Sequence, residues 1–389
     1  MDAQLTFTPA DDGLWEQYDQ LATRAYGHPI SDITHLREHA VLHVATRGNR
    51  VVAGGLGLLL DQYFGGNPVP SACLGDGCVA PEERGEHLAT GMTAARLRPL
   101  IERGAAISTI STSSTGYARH LGWEAPTQVL AWNVATDDLK RSFSDTDFEV
   151  QHELTNEAEA LQRRLARHWN GPLHRPTWWN RWKHGESNLT TYRFGRPGRP
   201  TAGLLSLNTQ RHERHGVNLT VHDFWADGQP TAAAMLSFLG RHNTRARTTT
   251  FRRGALPPYP TLLHGLRHHR TTADAWHPWM LRILNLPTAI QSRGWPTDIT
   301  TAIPMEIEND AGGANQWLLT IKSGTAEITP TRATPWVTLT RRQLAVWYAG
   351  GYRSATSARM AGVYATSEEA LTSLVRSTTQ HEPWLPDHF

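Results

Sequence analysis

Apolar positions in residues 12–25 recur at helical spacing: Leu14, Tyr18, Leu21 and Ala22 share one face and predict an amphipathic helix. Residues 41–47 and 51–57 are short apolar runs on either side of Gly48-Asn49, a turn signal, and predict two strands. Residues 71–80 predict a third strand with glycines in mid-run, the mark of a bulge or a close backbone approach, and Pro81 ends it. Residues 82–103 predict a second amphipathic helix, with Leu88, Met92, Ala95 and Leu100 at helical spacing and Gly104 as the stop. A strand at 105–111 follows. This order predicts an α/β layered domain over residues 1–135.

The polar stretch from Ala135 to Asp147 reads as a linker. Beyond it, residues 147–285 form a second candidate domain, with an alternating segment at Leu204–Thr209, a helix at Pro230–Asn243 and a Pro-rich break at 256–260. Strand patterns at 317–322 and 336–340, then helical patterns at 341–349, 353–361 and 367–378, belong to a third unit that opens near Met280. No short internal repeat or low-complexity tract interrupts this organisation.

Composition narrows the class. Hydrophobic residues make up 39% of the chain, enough for packed cores. With 38 basic and 36 acidic residues the net charge is +2, unlike an obligate nucleic-acid binder. All but three of the basic residues (Lys140, Lys183, Lys322) are arginine, which by itself names no partner. Cys73 and Cys78 are too few for a disulfide scaffold or a zinc site and read as small buried residues; no metal site is expected. The start of the sequence lacks a basic-then-apolar leader, and the apolar run Val51–Leu60 is too short to span a bilayer, so a cytoplasmic protein with no membrane partner is expected.

Residues 77–92 carry the sharpest chemical signal: a strand ends at Val79-Ala80-Pro81, and an Arg84-Gly85 turn opens a helix. Free N–H groups and the dipole at a helix N-terminus bind phosphate, and Arg84 adds a permanent charge; an ordinary capped helix would give the same pattern.

Val79-Ala80-Pro81-Glu82-Glu83-Arg84-Gly85 with its Leu/Ala helix resembles the acetyl-CoA loop of GNAT enzymes. Ser113-Ser114-Thr115-Gly116-Tyr117 running on to Leu121-Gly122-Trp123 resembles a segment of the Eis (enhanced intracellular survival) family. So do His174-Arg175-Pro176-Thr177-Trp178-Trp179, Met280 to Pro287 and the stretch Pro383 to Phe389, all in the same order. The resemblance implies a mixed α+β and α/β chain: tandem GNAT-like domains, each a mixed sheet flanked by helices, at 1–135 and 147–285. A sterol-carrier-protein-like α/β domain follows at 286–389.

The same resemblance implies an N-acyltransferase moving an acyl group from acetyl-CoA or a related thioester, a co-substrate and not a resident cofactor, onto an amine of a small molecule. Gly77, Cys78, Val79, Arg84, Gly85, Glu86, His87, Leu88, Ala89, Thr112 and Ser113 would contact the donor. Tyr117 would be the general acid, and the free α-carboxylate of Phe389 the base. Without the resemblance, Tyr117 reads as a core aromatic against Trp123 and Phe389 as a frayed end. Trp15, Tyr26 and Asp32, with Asp11 and Asp12, could wall a cleft for a cationic amine, although acidic loop residues are usually just solvated.

The loop departs from the GNAT pattern in two places. His87 stands at a usual glycine, and Glu86 puts negative charge beside a diphosphate. These departures leave open a carrier-protein thioester or an aminoacyl-tRNA as donor, in specialised-metabolite tailoring, and a catalytically silent ligand-binding protein. The Arg- and His-dense segment Arg241–Arg270, including His264, His268 and His269, reads as a solvated surface or a face for an anionic carrier. The family resemblance also implies a homo-oligomer, a hexamer, with a role in antibiotic resistance or biosynthesis.

Overall fold

The computed structural model describes residues 4–27, 36–144, 147–152, 156–212, 216–258, 264–267 and 271–389. Two compact units result: one holds residues 1–126, 279–380 and 389, the other residues 127–278 and 381–388.

The first unit opens with β1 (Leu5–Pro9), α1 (Asp12–Tyr26), β2 (Ala40–Arg47), β3 (Arg50–Phe64), β4 (Asn67–Val79), α2 (Leu88–Glu102), β5 (Ile107–Ser111) and α3 (Thr115–His120). The Asp11 carboxylate accepts from the Leu14 N–H at 2.9 Å and Gly27 closes α1 in the left-handed region, which is why α1 starts and stops as the sequence predicts. β3 and β4 turn through Gly65 (φ 59°) and Gly66 (φ 86°), the two positive φ values that a tight hairpin of this hand requires.

The chain then builds the second unit: β6 (Leu130–Ala135), α4 (Thr136–Ser142), β7 (Glu149–His152), α5 (Asn156–Ala166), β8 (Trp169–Asn170) and α6 (Thr177–Ser187). β9 (Thr190–Gly195), β10 (Gly203–His212), β11 (Gly216–Ala226), α7 (Gln229–Gly240), β12 (Thr248–Phe251) and β13 (Thr271–Ala275) complete its main run. Its seven-stranded sheet runs β13-β6-β12-β11-β10-β9-β7, with β11 and β12 parallel. Within the expected linker at 135–147, residues Thr136–Ser142 form a helix: α4 packs Leu139 into the core of this unit, and β6 pairs with β12 and β13. One apolar residue amid charges gave no periodicity to reveal that helix.

The remaining elements return to the first unit: β14 (Trp279–Ile283), α8 (Leu286–Ser292), β15 (Thr301–Glu308), β16 (Ala314–Lys322), β17 (Thr325–Pro330), β18 (Val337–Leu339), α9 (Arg341–Tyr348), α10 (Ala355–Met360), β19 (Tyr364–Ala365) and α11 (Glu368–Arg376). The short strand β20 (Glu382–Pro383) lies beside β8 in the second unit. β14, expected to open a third unit, pairs antiparallel with β5 and completes the sheet β1-β2-β3-β4-β5-β14. A five-stranded sheet, β17-β16-β15-β18-β19, follows, with Trp347 and Tyr348 of α9 buried. Among the described residues no helix is long and apolar enough to cross a membrane.

Candidate active site

β3 and β4 pair regularly until Leu56 meets Gly75; the next pair is Gly54 with Cys78, so Gly55 alone opposes Asp76 and Gly77. This is a β-bulge, and Asp76 adopts φ 47° to make it. Three side chains hold its carbonyls. The Tyr18 hydroxyl donates to the Asp76 oxygen at 2.5 Å, the Tyr26 hydroxyl to the Gly77 oxygen at 2.7 Å, and the Arg96 guanidinium to the Gly75 oxygen. Arg96 also donates to the Leu56 oxygen, from Nε at 3.1 Å. β-Carbons at Gly55 and Gly77 would lie 2.6 and 2.7 Å from its guanidinium, so only glycine leaves it room. Burial lowers the pKa of Arg96 and raises that of Tyr18.

The sheet splits beside this bulge. β4 and β5 run parallel from Ser71/Ile107 to Leu74/Ile110; past that point β4 continues to Val79 against β3 alone. Gly77, Cys78 and Val79 edge the split, while Thr112 and Ser113 follow the end of β5. Burial pushes the Cys78 thiol up to about 12, which leaves it an inert packing residue.

The predicted helix at 82–103 begins later than expected. Pro81–Glu83 is a 3₁₀ turn and α2 starts at Leu88. Glu82 and Glu83 are taken up by Arg24, Arg47 and Arg50, and Gly85 (φ 98°) and His87 (φ 56°) cannot continue a helix. Arg84, Gly85, Glu86 and His87 are exposed, Leu88 is buried and Ala89 half-buried. His87 therefore takes a left-handed conformation, and it is exposed.

The half-buried Tyr117 hydroxyl donates to the Ala89 oxygen at 2.6 Å and lies 2.7 Å from Thr93 Oγ1, both on α2. Burial raises its pKa, so the phenol keeps its proton at neutral pH. Phe389 lies across the sheet from it. A β-carbon at Gly75 would be 2.9 Å from the Phe389 main-chain carbonyl carbon and 3.0 Å from its oxygen. Gly54 faces Tyr18 of α1, whereas Gly55 faces Arg96 of α2. By the period of two, Leu56 and its partner Gly75 share the α1 face. The Phe389 main-chain carbonyl group is thus on the α1 face, and the Tyr117 phenol bonds to α2 on the other.

Of the expected acceptor wall, Trp15 is buried under Arg37, whose guanidinium carbon is 5.0 Å from the ring centre, and Asp12 pairs with Arg37. Tyr26 is part-exposed beside Gly77. Asp32, His268 and His269 lie outside the described residues. Arg96, Gly75 and Asp76 were not picked out in sequence, and Tyr18 was read only as part of the apolar face of α1. The glycines of β3 and β4 were the available signal, together with an arginine on the apolar side of α2.

Family profiles match three parts of the chain: acetyltransferase (GNAT) domains at residues 6–125 and 171–283, and a sterol carrier protein domain at 286–386. The chain thus carries two GNAT acetyltransferase domains and a sterol carrier protein domain. It is an acyltransferase; GNAT domains use acyl-CoA as co-substrate, and GNAT acetyltransferases act on small-molecule amines. No curated protein matches it in sequence. Solved structures share the fold along the whole length. A GCN5-related N-acetyltransferase from Anabaena variabilis ATCC 29413 is 22% identical, with 99% of this chain and 100% of that one covered at TM-score 0.87. One from Kribbella flavida is 21% identical (99% and 98%, TM-score 0.80). Eis1 from Mycobacterium abscessus is 16% identical (99% and 100%, TM-score 0.76).

Proposed function

We propose that this Eis-like protein transfers an acyl group from acetyl-CoA to a primary amine in the split beside the β4 bulge, with Phe389 as base and Tyr117 as acid. The observation that carries this reading is the main-chain carbonyl group of Phe389 against Gly75, on the sheet face opposite the Tyr117 contacts. The amine nitrogen attacks the thioester carbon and a C–N bond forms. Once its lone pair is committed the nitrogen is strongly acidic, so even a weak carboxylate base removes its proton. The C–S bond then breaks, and the thiolate takes the proton of the Tyr117 phenol. The two proton transfers fall on opposite sides of the reacting carbon, so neither group obstructs the other.

The reading requires Phe389 to carry a free carboxylate, which intact-mass analysis of the native protein tests first. Thiol release from acetyl-CoA is then followed across a panel of primary amines (amino acids, polyamines, aminoglycosides). Deleting Phe389 or extending the chain beyond it should reduce turnover at least a hundredfold; undiminished turnover overturns the base assignment. The exposed Glu86 and His87 in the loop support a second donor, a carrier-protein thioester or aminoacyl-tRNA. Calorimetric titration separates the two: CoA binding that weakens in Arg84→Ala favours acetyl-CoA, and no CoA binding favours the second.

A further inference from the structure

Several segments meet at the end of the second unit where β12 begins: the end of β10 and start of β11, the 3₁₀ turn Arg241–Thr244 after α7, α4, and residues 264–267. Main-chain contacts join them. The Val217 N–H donates to the Arg245 oxygen at 3.1 Å, and the Thr136 N–H to the Arg247 oxygen at 3.0 Å. A β-carbon at Gly240 would be 2.5 Å from the Lys140 nitrogen, so α7 ends against α4. Lys140 Nζ donates to Asn243 Oδ1 at 3.3 Å, and the Arg267 N–H to Ser142 Oγ at 2.9 Å. The register sets Arg211 opposite Val217. Lys140, Arg211, Arg245, Arg247 and Arg267 therefore share one end of this unit, and all five are exposed.

None of the five meets a carboxylate among the described residues. In segments 136–143, 207–211, 216–220, 238–251 and 264–267 the acids are Asp137, which pairs with Arg141, and Asp138, which is buried. The chain has 38 basic and 36 acidic residues, so without these five it would hold 33 against 36 and be acidic. The near-balance of the whole chain thus hides a cationic end, where like charges repel until an anion takes them up.

The uncharged residues of this end decide which anion fits. Thr209, Gln210, Asn218, Thr244 and Thr248 are exposed and all form hydrogen bonds. Among the described residues of these segments no large hydrophobic side chain is exposed. An acidic protein would need aromatic or apolar anchors, a membrane surface apolar side chains to insert, and a single strand rings for its bases to stack on. A phosphate backbone needs what is present: arginine and lysine set among threonine, asparagine and glutamine.

We propose that this end of the second unit binds the phosphate backbone of a double-stranded nucleic acid without reading its sequence. The inference is independent of the transfer reaction and of its proposed acid and base. Fluorescence anisotropy with labelled duplexes of about 20 base pairs, one RNA and one DNA, tests it at salt concentrations from about 50 to 200 mM. Affinity should fall at least tenfold over that range, with a log–log slope of up to about −4.5 for five neutralised phosphates. Arg245→Gln combined with Arg247→Gln should weaken both duplexes at least tenfold and flatten the slope by about 2. Arg163→Gln combined with Arg164→Gln removes the same charge from exposed sites on α5 and should change affinity less than twofold. All four side chains are exposed, so both variants should keep the parent's melting temperature. Tighter binding of RNA would add the 2′-hydroxyl to what is recognised, and equal affinity would leave the shared backbone; both uphold the proposal. Absence of binding at the lowest salt overturns it, as does equal weakening by the two double variants. Poly-glutamate or phosphatidylserine vesicles held as tightly as the duplexes overturn the choice of a nucleic acid, in favour of an acidic protein or a membrane surface respectively.

Discussion

The phenolic hydroxyl of Tyr117 donates to the main-chain oxygen of Ala89, 2.6 Å away in the first turn of α2, while Thr93 Oγ1 sits 2.7 Å from the same phenol. With its proton engaged by a carbonyl, the hydroxyl of Thr93 is the donor in that second contact. The helix that follows the Arg84–His87 turn therefore holds this phenol directly.

Tyr117→Phe should lower kcat by roughly a hundredfold or more and leave CoA affinity within about threefold, the usual range for losing one general acid. Because burial raises the Tyr117 pKa, the alkaline limb of the parent's pH–rate profile should lie above pH 10 and disappear in the variant. A parent profile falling between pH 7 and 9 would assign that limb to another group.

Gly75→Ala places a methyl 2.9 Å from the Phe389 main-chain carbonyl carbon. That group must move, so if it is the proposed base kcat should drop about tenfold or more with CoA binding retained, as stopped-flow turnover and calorimetry can separate. Gly55→Ala instead meets the Arg96 guanidinium at 2.6 Å. Overpacking of this kind costs about 1–3 kcal/mol, readable as a lower urea midpoint.

His87→Gly should stabilise the protein. A side chain at φ 56° carries a left-handed penalty of roughly 1 kcal/mol that glycine lacks, and the exposed ring forfeits no packing. Differential scanning calorimetry should show a higher melting temperature; a lower one would mean that the His87 ring makes a contact needed for folding.

Burial, then Lys183 and Arg252, lowers the His222 pKa to about 3. Between that value and about 6.5, the unfolded chain holds a proton that the folded one refuses, so stability present at neutral pH is lost as the pH falls. From pH 7 to pH 5 the loss from this residue is about 2 kcal/mol. Denaturant titrations of His222→Asn should show a flatter pH dependence over that interval; an identical slope would assign the acid sensitivity elsewhere.

Periodic elements were legible: α1 and α9 stand within a few residues of their sequence limits because each buries one regular stripe, whereas α7, buried on most sides, was marked by its apolar run and by Pro230 at its start. The mid-strand glycines announced the bulge but not its occupant. Arg96 escaped notice because a charged residue in a helix normally faces water, and only the missing side chains of Gly55 and Gly77, on other elements, reveal that this one does not. The approach of Phe389 to Gly75 joins residues from distant parts of the chain, and no local pattern encodes it. The split after Leu74/Ile110 was likewise invisible, since it depends on where pairing stops.

β14 joins the first sheet only after the whole of residues 127–278 has intervened. During synthesis, β5 thus leaves the ribosome as a bare edge and waits for its neighbour while another unit is made. Until then that edge offers unpaired backbone to any passing strand, so translation rate and chaperone occupancy at this stage should govern how much active enzyme a cell recovers.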